Sequence, residues 1–242
     1  MDRRDFLKLA GLTCSAPSLI ASDALNLEKP NMTACNTEIY LTVDDGWHYK
    51  KTILEIAEHY QVPLNLFIIG KVIEQDPSLW IKAMDNGHLL GSHTYTHPKF
   101  SKIDISTISE DFKLYRANMI KVMGRENFDR IKYFRYPYGD TGNTENKHEI
   151  KKIIEDNGWK ISWWNMDLSF KNNGYGVIPF RDPRDQLRSF ESGMERNKNV
   201  VLFHFKAPDF QAIELVIKEG LKNGYKFCTL NEANSLKNII TS

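Results

Sequence analysis

Cysteine is scarce in this chain: three in 242 residues, at positions 14, 35 and 228. No two lie at metal-ligand spacing, so neither a cysteine zinc site nor a cysteine nucleophile is indicated. A long apolar run is lacking too. The most apolar stretch, residues 9–21, is broken by Thr13, Cys14, Ser15 and Pro17, and falls short of the roughly 20 apolar residues that a membrane span requires. Neither sign of charge dominates, with 32 Lys and Arg against 31 Asp and Glu, so no strong field favours nucleic acid or an anionic membrane. Repeats, low-complexity tracts and a compositional break between domains are also lacking. The length suits a single α/β barrel better than two ordinary domains.

What is present begins with Asp2-Arg3-Arg4-Asp5-Phe6-Leu7-Lys8 ahead of the broken apolar stretch. This resembles a twin-arginine export signal. Ser22-Asp23-Ala24 offers small residues to a peptidase, so residues 1–24 are expected to be removed and the mature chain to reach the periplasm or cell envelope. A membrane anchor, or a degenerate lipoprotein site at Leu12-Thr13-Cys14, are the competing readings of the same segment. Arg3, Arg4 and Lys8 balance Asp2, Asp5 and Asp23, so removal leaves the net charge at +1. Cys14 would leave with the signal. Cys35 and Cys228 would then meet an oxidising compartment, where a disulfide and two separate buried thiols both stay open.

Residues 25–37 read as an irregular lead-in to a domain over 38–242. From there short apolar runs alternate with helical periods, the signature of an α/β fold. Candidate strands lie at 39–43, 64–69, 88–92, 131–135, 160–166, 200–204 and 225–229. Between them Ile53, Ile56, Ala57 and Tyr60 mark one helix face, and Ile108, Phe112, Tyr115, Met119 and Val122 mark a longer one. Asp76-Pro77 and Gly87 bracket a further helix. Helices are also expected near 145–157, 183–195 and 208–222, and a loop at 171–182. Seven strands with crossovers predict a distorted, incomplete TIM-like (β/α)7 barrel, as a single domain.

In such barrels functional groups gather at the C-terminal ends of the strands. The polar oddities of this sequence sit there: Asp44-Asp45-Gly46 after the first strand, His93 and His97 after the third, Arg135 to Gly139 after the fourth, Asp167 after the fifth and His204 after the sixth. One Asp and two His make an O, N, N ligand set with open positions, suited to catalytic zinc or a similar divalent ion. Adjacent residues of a strand face opposite ways, so one of the two Asp can bind metal while the other serves as a base. Taken singly, Asp-Asp-Gly is more often a plain turn and His-x-x-x-His a chance spacing. Their occurrence in order, at strand ends, carries the inference.

At this point the sequence resembles the polysaccharide deacetylases built on the NodB homology domain, carbohydrate esterase family 4, over residues 39–230. Thr42-Val43-Asp44-Asp45-Gly46 matches the first family motif with Val for Phe, and His93-Thr94-Tyr95-Thr96-His97 the second. Arg135-Tyr136-Pro137-Tyr138 matches the third and Leu202-Phe203-His204 the fifth. The resemblance implies that Asp45, His93 and His97 bind the metal, zinc first, with cobalt or another divalent ion possible. It implies Asp44 as general base, Arg135 as the residue that orients it, the Tyr138 N–H as an oxyanion donor, and His204 as the acid that protonates the departing amine. Asp167 would orient His204 and keep it protonated.

The fourth motif departs from the family pattern Asp-x-x-Asp-Trp: here Asp167-Leu168-Ser169-Phe170-Lys171 keeps only the first Asp. Leu202 would line an apolar acetyl pocket, with Phe170 or Trp164 filling the place of the missing Trp. Of Trp163 and Trp164 at most one can face the site, and core packing suits the other. His48, His59, His88 and His148 have no motif support and read as surface or loop residues. The expected activity is removal of N-acetyl groups from a GlcNAc-type polymer, peptidoglycan or chitin-like. A polysaccharide O-acetyl esterase and a catalytically decayed carbohydrate-binding protein are the alternatives. A non-haem iron oxygenase shares the two-His-one-carboxylate set, but leaves Asp44, Arg135 and His204 without a role. The expected partner is a polysaccharide or oligosaccharide and not nucleic acid, with no stable membrane span in the mature chain and a monomer as the expected state.

Overall fold

The first strand, β1 (Glu38–Asp45), is buried on both faces. Ile39, Leu41 and Val43 join the cluster shared with the surrounding helices, while Tyr40 joins a second cluster with Phe67, Tyr133 and Val200. A parallel strand covered by helices outside and filled by side chains inside has this pattern. Each fully buried aliphatic side chain contributes on the order of 1.5–3 kcal/mol. In the computed structural model the chain is described at residues 37–196, 199–233 and 240–241. The expected export signal at 1–24, most of the lead-in at 25–37 and Cys35 lie outside the described residues. Cys228 is buried.

To one side of β1 run β2 (Asn65–Ile68), β3 (Leu89–Ser92), β4 (Tyr133–Phe134) and β5 (Lys160–Ser162), all parallel. To the other run β9 (Val200–His204) and then β6 (Met166–Asp167). The short antiparallel strand β11 (Ile240–Thr241) borders β5. Thus β5 and β6 sit at opposite ends of the parallel sheet, although only Trp163, Trp164 and Asn165 separate them in the chain. The sheet must curl to bring its ends together, and the result is a distorted, incomplete TIM-like barrel.

This corrects the single strand expected over 160–166. The chain changes partners in the middle, for two reasons. The carbonyl oxygens of Ser162 and Trp163 each accept an Arg135 N–H at 3.3 Å. Asn165 then turns to β9, donating its backbone N–H to Val200 O at 3.1 Å and accepting the Val200 N–H on its side chain at 2.9 Å. The seventh expected strand is also shorter. β10 (Lys226–Phe227) is in register with Glu38 and Ile39 at the start of β1. Asn65 ties this end together, donating to Leu41 O and Cys228 O and accepting the Leu230 N–H at 2.8 Å.

Helices α1 (Lys50–His59), α2 (Gly70–Gln75), α3 (Pro77–Asp85), α4 (Ile105–Met123), α5 (Arg125–Asp129), α6 (Lys147–Asp156), α7 (Pro183–Glu195) and α8 (Asp209–Lys222) connect the strands. Asp76 caps α3 by accepting the Leu79 N–H at 3.2 Å, and Pro77 occupies its first turn. Asp104 caps α4 through the Thr107 N–H at 2.7 Å, and Gly124, at φ 83°, ends it. Ile108, Phe112, Tyr115 and Met119 form the buried face of α4 as their spacing predicts. Among the described residues no helix is long and apolar enough to cross a membrane.

Two loop assignments change. The segment expected as a loop at 171–182 contains a hairpin of β7 (Phe170–Asn172) and β8 (Val177–Pro179). His88, expected at the surface, is buried, and its Nδ1 accepts the Leu64 N–H at 3.0 Å. The hydrogen bond fills a position ahead of β2 where the backbone donor has left the sheet ladder. His48, His59 and His148 are exposed as expected.

Candidate metal centre and catalytic cleft

The register of the barrel decides which residues meet. Asp44 and His204 are Cα partners on neighbouring strands β1 and β9. Asp45 is partnered with Ile68, Ile68 with Ser92 and Ser92 with Phe134, so the residues just after β3 and β4, His93 and Arg135, arrive at the same rim. The strand then breaks its own alternation. Asp45 has φ 84°, a left-handed conformation uncommon for any residue but Gly. As a result both carboxylates approach one imidazole: His93 Nε2 lies 3.6 Å from Asp45 Oδ1 and 3.9 Å from Asp44 Oδ2. Strand geometry alone would have placed them on opposite faces.

Asp45 Oδ1, His93 Nε2 and His97 Nε2 form a tight triangle. His97 Nε2 is 3.4 Å from Asp45 Oδ1 and 3.1 Å from His93 Nε2. Asp45 Oδ1 is buried and accepts no hydrogen bond, the condition of an oxygen shaped for a cation. His93 Nδ1 lies 2.9 Å from the Arg135 carbonyl oxygen. A carbonyl only accepts, so Nδ1 carries the proton and the Nε2 lone pair faces the triangle. Burial pushes both imidazoles down to about 3, which keeps them neutral as ligands must be. Burial and the neighbouring Asp44 charge push Asp45 up to about 7, against the pull of Lys206. The donor set fits a divalent metal ion.

The loop that carries the two histidines is held from outside the barrel. Thr94 and His97 both have left-handed φ, at 64° and 62°. The carboxylate of Asp111, on α4, accepts the N–H groups of Tyr95 at 2.7 Å and Thr96 at 3.0 Å, and the Thr96 hydroxyl at 2.5 Å. Thr94 Oγ1 accepts the His97 N–H at 3.0 Å.

Arg135 reaches into the barrel and is fully buried. Its Nη1 donates to Asp44 Oδ1 at 2.9 Å and to Thr42 Oγ1 at 2.6 Å, and its guanidinium carbon lies 4.1 Å from the Phe67 ring centroid. That ring in turn depends on Gly91, where any Cβ would stand 2.6 Å from Phe67 Cδ1. Burial raises Asp44 to about 6 in spite of the guanidinium beside it. At neutral pH the group is therefore ionised yet basic enough to take a proton.

The cleft above these groups has a volume of about 390 Å³, and Tyr138, Trp164, Asp167, Phe170, Leu202 and His204 also line it. Tyr138 sits on a left-handed turn at φ 58°, with its ring 4.5 Å from that of His97. Trp164 faces the cleft, while Trp163 stacks on Tyr136 at 5.3 Å and packs with the outer core. The alternation expected for the pair holds.

One expected partnership changes. Asp167 does not hydrogen-bond the His204 ring; its Oδ1 accepts the N–H groups of Ser169 and Phe170, each at 2.9 Å. The group against His204 Nδ1 is the Ser169 hydroxyl, at 2.7 Å. The physical reason is the tight turn that Asp167 itself closes, which swings Ser169 towards β9. Sequence reasoning also missed Asp111, Asp209 and Lys206. Asp111 gave a signal, being a carboxylate amid the apolar positions of α4. Lys206 lines the cleft with Nζ 3.6 Å from the Phe170 ring centroid. Burial first, then the fixed charges of Lys206 and Arg135 among its neighbours, push His204 down to about 3.

Comparison with known proteins shows the family. Residues 31–162, more than half of the chain, match the polysaccharide deacetylase family, and the chain belongs to it. Among curated relatives it is 22% identical over 233 residues to the peptidoglycan-N-acetylglucosamine deacetylase PgdA of Listeria monocytogenes, covering 93% of this chain and 45% of that one. It is 27% identical over 199 residues to the peptidoglycan-N-acetylmuramic acid deacetylase PdaA of Bacillus subtilis, covering 80% of this chain and 70% of that one. The chain thus spans less than half the length of the Listeria enzyme. A family 4 carbohydrate esterase from Streptomyces lividans, solved with acetate, shares the fold at a TM-score of 0.63 and 21% identity, covering 86% of this chain and 98% of that one.

Proposed function

We propose that this protein is a metal-dependent hydrolase that removes N-acetyl groups from amino sugars of a polysaccharide, with cell-envelope peptidoglycan the first candidate and a chitin-like GlcNAc polymer the second. One observation carries the reading: the Asp45, His93 and His97 triangle stands beside an Asp44 carboxylate fixed by Arg135 and opposite His204, all opening on one cleft. The peptidoglycan deacetylases among its relatives support the substrate class, and the sequence at residues 1–24 supports export to the envelope by the twin-arginine route.

Asp45, His93 and His97 would hold the ion, zinc or another divalent metal, which when bound acts as a Lewis acid on water and on the acetyl carbonyl. Asp44 takes a proton from the attacking water, its oxygen aimed by the Arg135 hydrogen bond. The Tyr138 backbone N–H would stabilise the oxyanion of the tetrahedral intermediate. His204, which burial keeps neutral in the free site, must first take up a proton and then gives it to the amine nitrogen as the C–N bond breaks, since an amine leaves poorly without that proton. Leu202, Trp164 and Phe170 give the acetyl methyl an apolar wall.

A second reading, a polysaccharide O-acetyl esterase, draws on the fourth motif, where a serine rather than a carboxylate meets His204. An alcohol needs less help in leaving. The test is acetate release from a chito-oligosaccharide and from an O-acetylated xylan, with the protein stripped of metal and refilled with zinc or cobalt, and Asp44→Asn as control. Metal-dependent acetate from the chitin-type substrate, lost in the variant, is the expected outcome. Release from the xylan alone would favour the esterase, and release from neither would sink both.

A further inference from the structure

Behind His204 stands a chain of buried polar groups that the metal centre does not use. Ser169 is fully buried and its Oγ lies 2.7 Å from His204 Nδ1. The same oxygen makes a short hydrogen bond with Oδ2 of Asp209, itself fully buried at the first residue of α8. Asp209 Oδ2 also accepts the His204 backbone N–H at 2.8 Å, and its Oδ1 accepts Gln186 Nε2–H at 2.9 Å. Gln186, on α7, is fixed in turn by donating to Leu168 O at 2.6 Å.

The protons in this chain can be assigned by elimination. Burial pushes the Asp209 carboxyl above the usual range, but the Ser169, His204 and Gln186 hydrogen bonds and the Lys206 charge oppose that shift. With both oxygens facing hydrogen-bond donors at the N-terminal end of a 14-residue helix, the geometry favours the carboxylate. A carboxylate only accepts, so the Ser169 hydroxyl gives it its proton. The Ser169 lone pair then accepts, and His204 Nδ1 must carry a hydrogen. That leaves Nε2 as the ring nitrogen available to the cleft.

We propose that Ser169, anchored on Asp209, is the positioning residue of His204: it holds the ring in the Nδ1–H form, with Nε2 presented to the substrate, and stabilises the imidazolium that donates. This rests on the deacetylase reading and deepens it. When the amide C–N bond breaks, its electron pair goes to nitrogen and the Nε2 proton follows. Nδ1 and Ser169 keep their protons throughout, and Asp209 stays a carboxylate. A hydroxyl relayed to a second carboxylate thus fills the place of the acid missing from the fourth motif.

The test uses the full chain, uniformly labelled with 15N, and the variants Ser169→Ala and Ser169→Thr. Ring 15N shifts of His204 should report the Nδ1–H tautomer in the wild type and in Ser169→Thr, and a changed tautomer balance in Ser169→Ala. Kinetically, Ser169→Ala should lower kcat on a chito-oligosaccharide about 100-fold, within the range for losing general-acid help. It should change metal-dependent hydrolysis of 4-nitrophenyl acetate, whose leaving group departs without a proton, less than twofold. Ser169→Thr should restore amide cleavage. An Nε2–H tautomer in the wild type, or equal loss on both substrates, overturns the proposal. A tautomer that responds to Ser169 in a protein that cleaves no acetamide would uphold the positioning role and count against the deacetylase reading instead.

Discussion

Arg135 donates from Nη1 to Oδ1 of Asp44 at 2.9 Å inside a barrel that shields both side chains almost completely from water. Removing one member of a buried ion pair strands the other, at a cost of roughly 3–5 kcal/mol. Arg135→Met should therefore lower stability by about that amount and reduce acetate release at least 100-fold, because the base loses its orientation. The double variant with Asp44→Asn should recover part of the stability and none of the activity. Urea midpoints with initial rates check both, and a single variant within 1 kcal/mol of wild type would refute the pairing argument.

The two adjacent aspartates should separate by metal binding. Zinc or cobalt at about 100 times its dissociation constant stabilises a protein by about 2.7 kcal/mol, visible as a rise in Tm. Asp45→Ala should abolish that rise, whereas Asp44→Asn should retain it while losing activity. A reversed pattern would exchange their roles.

Asp111 touches neither the cleft nor the ligand atoms, yet it fixes the turn between His93 and His97 through three hydrogen bonds. Asp111→Asn keeps the shape and replaces an acceptor oxygen by a donor. Metal affinity, measured by cobalt absorption or competition with a chelating dye, is expected to fall roughly 10- to 100-fold, the range for losing an outer-shell support. Unchanged affinity would show that the loop holds itself.

His88 supplies a pH dependence remote from the cleft. Burial holds its folded pKa below the ordinary 6.5, its Nδ1 accepts the Leu64 N–H, and its Nε2 is buried with no hydrogen-bond partner. The unfolded chain takes up a proton first as pH falls. The stabilisation is therefore complete above about pH 6.5 and is lost as pH drops from there towards the folded pKa. His88→Leu should cost about 2 kcal/mol at pH 7.5, from the stranded Leu64 donor, and should make the decline below pH 6.5 shallower. Urea unfolding at pH 7.5, 6.5 and 5.5 measures both effects. A parallel decline in the two proteins would mean that His88 does not contribute.

Periodicity and end signals made the helices legible, because α4 and α3 carry their own caps and their own apolar faces. The Asp45, His93 and His97 triangle was legible for a different reason: Asp45 ends β1, His93 and His97 follow β3, and those strand ends must share one rim. The split of 160–166 was not legible, since nothing local says that Arg135 would claim the carbonyls of Ser162 and Trp163. His88 misled because a buried imidazole serving one backbone N–H looks, in sequence, like any isolated histidine. The β7–β8 hairpin was missed because Asn172 to Gly176 reads simply as turn-forming sequence.

By itself, then, the sequence determined the barrel and the residues brought to its upper rim, since strand ends and their order are properties of local pattern and connectivity. Only the tertiary structure decided how those residues pair. The left-handed turn at Asp45 set two neighbouring carboxylates on one imidazole, against strand alternation. The bend at 163–165 carried the chain from β5, beside β4, across to β6, beside β9, and the turn closed by Asp167 put Ser169, backed by Asp209 from α8, against His204. Each is a contact between segments far apart in the chain, selected by which buried donors and acceptors could satisfy one another once the barrel had closed.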